Sequence, residues 1–385
     1  MPAIFLPRSI KIGAESAMQL ASALAEQDLK APLIVTDPII AGGKAFRAVK
    51  SRLVACGIEP RVFDGVVPNP TSASVDAALE FVSAGNLDCV IGFGGGSAID
   101  TAKAVAVLAV HGGTMHALKA PHRQDAPGLP IVAIPTTAGS GSEATRFTII
   151  TDEATNEKML CMGLAYLPTL AIVDHELTMT KPRRLSADTG IDALTHAIEA
   201  YVSNLANPFS DGMALSAMRL IWPNLPRVCE EPDNRAARAA MAAGSLQAGI
   251  AFSNSSVALV HGMSRPIGAH FQVSHGLSNA MLLPSVTAWS SPASLTRYAE
   301  CAHAMTLASA DEGEQSAVDR LIEALYDLNN ALDVPTLAGS GIDRQRWHEL
   351  IPLMSEQALS SGSPANNPRV PDIAQISQLY ADAWV

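Results

Sequence analysis

Apolar positions in the first half of the chain fall into short continuous runs, separated by segments with helical spacing. Four such runs stand out: residues 31–37 (APLIVTD), 87–93 (LDCVIGF), 129–137 (LPIVAIPTT) and 167–174 (LPTLAIVD). Continuous runs of this length are typical of parallel strands that are covered on both faces. Between them, residues 42–57 and 72–85 repeat apolar positions with the period of a helix. The pattern predicts a strand–helix series that forms a parallel sheet.

Two further regions depart from this series. Residues 147–163 (FTIITDEATNEKMLCMG) contain two extended runs around a polar turn and predict a β-hairpin. Beyond residue 180, long segments rich in Ala and Leu, such as 184–203 and 234–263, predict helices alone. We therefore expect an α/β domain with a parallel sheet at residues 1–179 and an all-α domain at residues 180–385.

Composition narrows the class of protein and of ligand. With 385 residues, 48% of them hydrophobic and 16% charged, the chain can bury a large core in two domains. Its formal net charge of -11 and its 26 scattered Lys and Arg residues argue against a nucleic-acid partner. The sequence shows no signal-peptide core and no apolar segment of membrane-spanning length, which predicts a cytoplasmic protein without a membrane partner. A small molecule is the expected ligand.

The cysteines are odd in number and widely spaced, and they form neither a CxxC pair nor a disulfide framework. A free cysteine in a folded protein usually behaves as a small buried hydrophobe. We therefore expect buried, reduced thiols at Cys56, Cys89, Cys161, Cys229 and Cys301.

Two glycine-rich turns follow predicted strands. In GFGGGSAID (residues 92–100), three glycines and Ser97 lead into a helix whose first turn carries Asp100, so backbone amides at the helix start can face an anion. PTTAGSGSE (residues 135–143) also follows a strand, which places both turns at the carboxyl ends of neighbouring parallel strands. A pyrophosphate suits this arrangement. The glycine run is not the usual dinucleotide-binding fingerprint, however, and a tight turn without a ligand is the alternative.

Asp37 ends the first predicted strand and precedes Pro38. A carboxylate there can accept hydrogen bonds from an adenosine ribose and would repel a 2′-phosphate, which favours NAD over NADP. Asp followed by Pro is equally typical of a helix N-cap. The sequence supports both interpretations.

The helical half contains candidate metal ligands. Asp192 and His196 are four residues apart, so on a helix their side chains leave the same face. That pair alone is more often part of a core, but His261 and His275 follow at a helix end and at a helix start, where both can turn towards it. One carboxylate and three imidazoles suit Fe²⁺ or Zn²⁺ and leave a position open for a substrate oxygen.

Four motifs in this order, GGGSAID, PTTAGSGSE, TGIDALTHAIEAY and HGMSRPIGA…SHG, resemble the iron-containing (group III) alcohol dehydrogenase family. The resemblance implies a dinucleotide-binding α/β domain, an all-α metal-binding domain, the two-domain architecture shared with dehydroquinate synthase, and a dimer. It implies that Asp192, His196, His261 and His275 bind Fe²⁺, Zn²⁺ or another divalent ion. It also implies NAD contacts, to which we add Asp100 from its place in the first turn: Asp37, Asn69, Gly95, Gly96, Ser97, Asp100, Thr136, Thr137, Lys158 and Leu177.

The chemistry implied is hydride transfer between a small primary alcohol and NAD, with the aldehyde as product. The ion stabilises the alkoxide, and NAD is the redox partner. Two alternatives stay open at this point. One is a lyase of the dehydroquinate synthase type, which would need several basic residues for a phosphorylated substrate. The other is a protein that binds a metal or a nucleotide without catalysis.

Arg265 departs from the family pattern, in which many members carry a histidine at the matching position. Arginine stays protonated and cannot shuttle protons, so we consider an anionic substrate group as its partner, or else a neighbouring carboxylate or the cofactor phosphates. His270 lies between two expected ligands and could relay protons instead, although a surface or supporting role is the more ordinary one for a histidine there.

Overall fold

The structure is a computed structural model that describes residues 3–83, 85–155 and 157–384. The chain divides into two compact units, a first unit at Phe5–Thr180 and a second unit that joins the N-terminal residues before Phe5 to the chain from Lys181 onward. Across the described ranges, the helices are too short or too polar to cross a bilayer.

The first unit is built on a six-stranded parallel sheet with the strand order β1-β8-β5-β4-β2-β3. Antiparallel strands β6 and β7 form a separate hairpin. The strand bounds are β1 Ser9–Ile12, β2 Pro32–Val35, β3 Arg61–Phe63, β4 Cys89–Gly94, β5 Ile131–Pro135, β6 Phe147–Asp152, β7 Glu157–Met162 and β8 Leu170–Val173. The parallel sheet and the hairpin confirm what the apolar pattern predicts.

Helices follow the strands of the first unit. The α-helices are α1 Leu20–Ala25, α2 Pro38–Ala41, α3 Lys44–Ala55, α4 Ser72–Ser83 and α5 Gly96–His111. Short 3₁₀ turns lie at Ser16–Gln19, Met115–Leu118, Ser142–Ala144, Leu164–Tyr166 and His175–Thr178.

Side chains from alternate positions of the strands enter two separate cores. In β2, Leu33 and Val35 join one buried cluster, whereas Ile34 joins the other. A strand reaches two cores only when both faces of the sheet are covered, which is why the central strands read as continuous apolar runs.

Strands β1 and β3 were not predicted, because their sequences lack that signal. They lie at the two edges of the sheet, and the segments SIKI and RVF are only partly buried. An edge strand needs neither a long apolar run nor cover on both faces.

The second unit contains helices and no strand within its described residues 181–384. Its α-helices are α6 Arg183–Val202, α7 Pro208–Ile221, α8 Leu225–Glu230, α9 Arg235–Asn254, α10 Leu259–Phe271, α11 His275–Ser290, α12 Leu295–Ala304, α13 Glu314–Ala331, α14 Arg344–Ser360 and α15 Ile373–Asp382. Short 3₁₀ turns lie at Ser291–Ala293, Ala338–Ser340 and Ser363–Asn366. The fold class predicted from the sequence is confirmed.

The cysteines are free, and four of the five are buried as expected. Cys56 is the exception, because it is the residue that ends α3 and its side chain is exposed there. Burial raises the pKa of Cys161 to about 12, so this thiol stays neutral.

Candidate functional site

Helix α6 carries two of the predicted ligands in its buried middle. Asp192 and His196 are one turn apart, and both side chains are 6% exposed. The distance from Asp192 Oδ1 to His196 Nε2 is 3.9 Å. The His196 ring stacks on Phe252 of α9 with 4.3 Å between ring centroids, which fixes its orientation.

Helices α10 and α11 bring the other two ligands to the same point. His261 Nε2 lies 3.5 Å from Asp192 Oδ1, and His275 Nε2 lies 3.6 Å from it. One ligand atom from each of Asp192, His196, His261 and His275 lies within 4.8 Å of all the others. Nitrogen and oxygen ligands arranged tetrahedrally at about 2.1 Å from an ion lie about 3.4 Å apart. The donor set and its spacing therefore fit a divalent ion.

Access to this cluster is uneven. The His275 side chain is 34% exposed, whereas those of Asp192 and His261 are 6% and 3% exposed. A ligand from solvent therefore reaches the cluster on the side of His275.

Glu199 holds His261 in place. Its Oε2 accepts hydrogen bonds from His261 Nδ1 at 2.6 Å and from the Ala258 amide at 2.8 Å, and its Oε1 accepts one from the Val260 amide at 2.6 Å. A proton on Nδ1 that is donated to Glu199 leaves Nε2 as the ring nitrogen that faces Asp192. The same carboxylate caps the start of α10, where the first amides have no partner within the helix.

The ionisation of the cluster follows from these contacts. Burial alone would raise the pKa of Asp192, but the imidazoles of His196, His275 and His261 lower it below its usual range. Burial alone would lower the pKa of His261, but Glu199 and Asp192 raise it. Asp192 is therefore ionised. Its negative charge would attract a cation that replaced the protons of the surrounding imidazoles.

Two further residues complete the surroundings of the cluster. The Ser264 hydroxyl lies 3.2 Å from His275 Nδ1 and so orients the second imidazole. Asn279, one turn after His275 on α11, is fully buried and donates from Nδ2 to Asp192 Oδ1 at 2.7 Å. Sequence analysis missed Glu199, Ser264 and Asn279. Each of them bonds to a residue of the cluster that lies on a different helix, and such a contact cannot be recognised from residue spacing.

Arg265 lies one turn after His261 on α10. Its Nη1 donates to Ser363 Oγ at 3.0 Å, while its Nε is buried and has no hydrogen-bond partner among residues 3–83, 85–155 and 157–384. No carboxylate of these residues forms an ion pair with it. Burial lowers the pKa of Arg265 to about 10, although the nearby Glu199 charge opposes this shift. At neutral pH the guanidinium is charged and only partly satisfied.

His270 does not approach the cluster. Its Nε2 lies 2.8 Å from Gln357 Oε1 on α14. Along α10, the nine residues from His261 to His270 correspond to about 13 Å at the helical rise of about 1.5 Å per residue. The contact with Gln357 agrees with the supporting role that is the more ordinary one for this histidine, and a proton relay at His270 stays a prediction.

The first unit brings the two glycine-rich turns side by side, because β4 and β5 are adjacent parallel strands. The Thr136 amide donates to the Gly94 carbonyl at 2.9 Å, and a Cβ atom added to Gly96 would lie 3.1 Å from Ser140. Gly95, Gly96 and Ser97 form the start of α5, and Thr137 lies 3.7 Å from the Cβ position of Gly95. The buried Thr136 hydroxyl finds no hydrogen-bond partner in the described part of the chain. Such a cradle fits the pyrophosphate of a dinucleotide.

Asp100 has a different position from the one expected. Its Oδ1 accepts from Ser142 Oγ at 2.6 Å, and its Oδ2 accepts from the Ile149 amide at 3.0 Å. Both carboxylate oxygens thus bond to residues that follow the second glycine turn, and a contact of Asp100 with the cofactor stays a prediction.

Asp37 caps a helix, as one of its two interpretations predicts, and its second oxygen lies at the first glycine turn. Its Oδ1 accepts from the Ile40 amide at 2.9 Å and caps α2. Its Oδ2 lies at the glycine turn, 3.8 Å from the Cβ position of Gly94. Capping therefore leaves one oxygen beside the cradle.

Three other expected cofactor residues lie elsewhere in this unit. Lys158 Nζ donates to Asn69 Oδ1 at 3.0 Å, so these two meet although 89 residues separate them. Asn69 has a φ of 53°, in the left-handed region that few residues other than glycine adopt. The side chain of Leu177 is 8% exposed and packs in one of the two cores of the sheet.

Comparison with known proteins gives consistent matches over the whole chain. Residues 7–175 match the family described as iron-containing alcohol dehydrogenase, and residues 186–384 match the C-terminal part of the Fe-containing alcohol dehydrogenase family. The NAD-dependent methanol dehydrogenase of Bacillus methanolicus is 34% identical over 384 residues, which cover 100% of both chains.

Two solved structures are similar in fold and sequence. A 1,3-propanediol oxidoreductase has a TM-score of 0.95 at 33% identity, covering 100% of both chains. The sulfoacetaldehyde reductase of Bifidobacterium kashiwanohense, in complex with NAD⁺, has a TM-score of 0.87 at 27% identity, covering 100% of this chain and 98% of the other.

Proposed function

This chain belongs to the iron-containing alcohol dehydrogenase family, and we propose on that basis how its residues carry the NAD-dependent interconversion of a small alcohol and its aldehyde. The observation that carries the proposal is the buried cluster of one carboxylate and three imidazoles in the second unit. NAD and a divalent ion, iron or a similar metal, are its cofactors.

When bound, the ion supplies a Lewis acid that makes an alcohol oxygen more acidic and polarises an aldehyde carbonyl. Asp192, His196, His261 and His275 hold it. Glu199 keeps the proton of His261 on Nδ1, and Ser264 orients His275. The substrate oxygen approaches from the side of His275, where the cluster is open.

The cofactor is held by the first unit. The amides of Gly95, Gly96 and Ser97 at the start of α5 bind the pyrophosphate, together with the hydroxyl groups of Thr136 and Thr137. Asp37 Oδ2 accepts hydrogen bonds from the adenosine ribose. Lys158 and Asn69 act as one hydrogen-bonded pair at the cofactor.

The direct test is NADH formation from simple primary alcohols by protein loaded with Fe²⁺. We expect turnover in the wild type. The His275→Ala variant should lose turnover and most of its bound metal, yet still bind NADH, because the glycine turns lie in the other unit. Full metal occupancy in that variant would overturn the ligand assignment.

The same assay separates the alternatives. A lyase of the dehydroquinate synthase type would consume its substrate without net accumulation of NADH, and a protein that only binds metal or nucleotide would show no turnover. The lyase would also need several basic residues for a phosphorylated substrate, and the sequence segments expected at the site offer mainly Arg265 and Lys158.

Arg265 leads to a narrower substrate class, aldehydes or alcohols with an anionic tail. Its guanidinium is charged, is partly unsatisfied and has no carboxylate partner among the described residues. A planar guanidinium binds a carboxylate or a sulfonate through two parallel hydrogen bonds. Sulfoacetaldehyde, which names one of the similar structures, carries such a sulfonate.

A kinetic comparison of succinic semialdehyde with butanal tests this class. Because a charge-assisted pair contributes about 1.5 to 3 kcal/mol, the wild type should prefer the anionic aldehyde by about one to two decades in kcat/KM. Arg265→His should remove the preference and keep activity on butanal. Equal kcat/KM values for the two aldehydes in the wild type would contradict the anionic tail, as would loss of both activities in the variant.

We extend the proposal to a homodimer in the cytoplasm, which the family resemblance favours. Light scattering coupled to size exclusion would give about twice the mass of 40.2 kDa for a dimer, and a mass near 40.2 kDa would refute it. Cell fractionation tests the compartment.

A further inference from the structure

Lys103 is a lysine buried in the first unit, and it lies on α5 two turns after the first glycine turn. Its side chain is 0% exposed. Its Nζ donates to the Thr145 carbonyl and to Thr145 Oγ1, each at 2.9 Å, and to the Phe147 carbonyl at 2.8 Å. These bonds use all three protons of the ammonium group.

The acceptors of Lys103 lie immediately after the second glycine turn. Asp100, one turn earlier on α5, is bonded to Ser142 and Ile149 in the same segment. Thr148 Oγ1 adds a bond to the Asp100 carbonyl at 2.9 Å. Residues 142–149 are therefore tied to α5 through six hydrogen bonds, whose lengths range from 2.6 to 3.0 Å.

The charge on Lys103 is costly to bury. Burial lowers its pKa to about 8, although Asp100 and Glu143 oppose this shift. Burial raises the pKa of Glu143 to about 7, although Lys103 opposes that shift in turn. A methionine of similar length would fill this space without the desolvation cost, so packing alone does not account for a lysine here.

The location of these bonds indicates what the lysine does. The second glycine turn is held at its start by the bond from the Thr136 amide to Gly94, and at its end by Lys103 and Asp100. Helix α5 itself begins with the first glycine turn. The bonds from α5 therefore fix the distance between the two halves of the pyrophosphate cradle.

We propose that Lys103, assisted by Asp100, is a positioning residue that sets the spacing of the two glycine-rich turns for NAD. It touches neither cofactor nor substrate and acts through residues 142–149. This inference rests on the proposed function, because it takes these turns as the NAD site.

The experiment compares Lys103→Met with Lys119→Met in the metal-loaded full chain. Lys119 pairs with Glu157 in the same unit through a partly exposed ion pair and has no bond to α5, so it is a matched control. Binding of NADH is followed by fluorescence titration, together with KM for NAD, KM for the alcohol, kcat and metal content.

We expect Lys103→Met to raise the Kd for NADH and the KM for NAD by about tenfold to a hundredfold, because a misplacement of about 1 Å at a site can cost up to about a hundredfold. At saturating NAD, kcat, KM for the alcohol and metal content should match the wild type. Lys119→Met should stay within about twofold in every measurement. A merely structural role would instead raise the KM for the alcohol and lower kcat and metal content along with the loss of NADH binding, and that result would overturn the proposal.

Asp100→Asn provides a second variant if Lys103→Met does not fold. The side-chain NH₂ group of the asparagine cannot accept a hydrogen bond from the Ile149 amide. One hydrogen bond between α5 and residues 142–149 is therefore lost, while the size of the side chain is kept. An increase in the Kd for NADH supports the proposal, and an unchanged Kd in a folded variant overturns it. Absence of NADH binding in the wild type would refute the NAD site itself, which distinguishes the two failures.

Discussion

Glu199 determines which nitrogen of His261 faces the metal site, although it is not a ligand itself. In Glu199→Gln, an NH₂ group replaces one carboxylate oxygen. This donor would face another donor, either a backbone amide of α10 or the His261 ring, so a hydrogen bond is lost. We expect metal affinity to fall by about 10- to 100-fold, as for other residues that orient a ligand histidine. Stability should also fall by about 1 to 3 kcal/mol, because a buried donor loses its acceptor.

Competition with a chelator measures that affinity, and thermal unfolding measures the stability. Glu300→Gln is a suitable control, because Glu300 accepts a hydrogen bond from Tyr201 on α6 and makes no contact with the cluster. If both variants lost the same affinity, Glu199 would have no specific influence on His261.

Asp37 offers a test of cofactor choice. Its Oδ2 lies at the glycine turn while Oδ1 caps α2, so Asp37→Gly removes the negative charge and keeps a residue tolerated at an N-cap. We expect kcat/KM for NADP to rise relative to NAD, because repulsion of the 2′-phosphate is lost. The ratio of kcat/KM for the two cofactors is the measurement. A constant ratio would show that Asp37 only caps the helix.

The protonation of His261 predicts how metal binding depends on pH. Its pKa is raised, against the effect of burial, by Glu199 and Asp192, whereas that of Asp192 is lowered and leaves a carboxylate. Because Nε2 of His261 must lose its proton before an ion binds, apparent metal affinity should rise with pH through the pKa of His261. Chelator competition between about pH 5 and pH 8 tests this. A flat profile would contradict the role of His261 as a ligand.

Residue spacing and motif order together predicted the four residues of the cluster, but not the residues that support them. Asp192 and His196 are visible because one helix carries both, and the motif order adds His261 and His275. In the sequence, Glu199 is only a polar residue three positions after His196. Its partners at the start of α10 are known only from the tertiary structure. The partner of His270, Gln357 on α14, is likewise known only from the tertiary structure.

At the scale of elements, the contact of α11 with α6 positions His275. A Cβ atom added to Gly276 would lie 2.2 Å from the Asp188 carbonyl oxygen of α6. Gly276→Ala must therefore move α11 away from α6, and His275 with it. We expect a loss of metal affinity and a destabilisation of about 1 to 3 kcal/mol.

Gly212→Ala is the matched control for that prediction. Gly212 lies on α7, and its Cβ position has no atom within 4 Å. Alanine there should stabilise the protein by about 0.5 to 1 kcal/mol, because a helical glycine carries an entropic cost. Thermal unfolding and metal content of both variants decide the matter. Unchanged metal content in Gly276→Ala would show that α11 can shift without moving His275.

The elements themselves were predictable in proportion to their burial. Strands β2, β4, β5 and β8 were found because both of their faces enter a core, which requires continuous apolar runs. The edge strands β1 and β3 were not predicted, because a short strand with solvent on one side has too few apolar residues to be recognised. The hairpin was visible through its polar turn.

At the scale of the whole molecule, the two cofactors should protect different units from hydrogen exchange. Metal is expected to slow exchange in segments 192–199 and 258–279, and NADH in segments 92–100 and 135–149, because each ligand stabilises the state that binds it. Mass spectrometry of peptides after exchange provides the measurement, with α13 as an internal control. Protection by metal confined to the glycine turns would contradict the assignment of sites to units.

The different exposure of the five cysteines makes it possible to follow unfolding of each unit by thiol labelling. Cys56 is exposed, whereas Cys89, Cys161, Cys229 and Cys301 are buried. A thiol-reactive dye should thus label the native chain once, rapidly, and the remaining sites only as the chain unfolds. Cys89 and Cys161 belong to the first unit, and Cys229 and Cys301 belong to the second. The order in which these four thiols react with the dye therefore reveals which unit unfolds first.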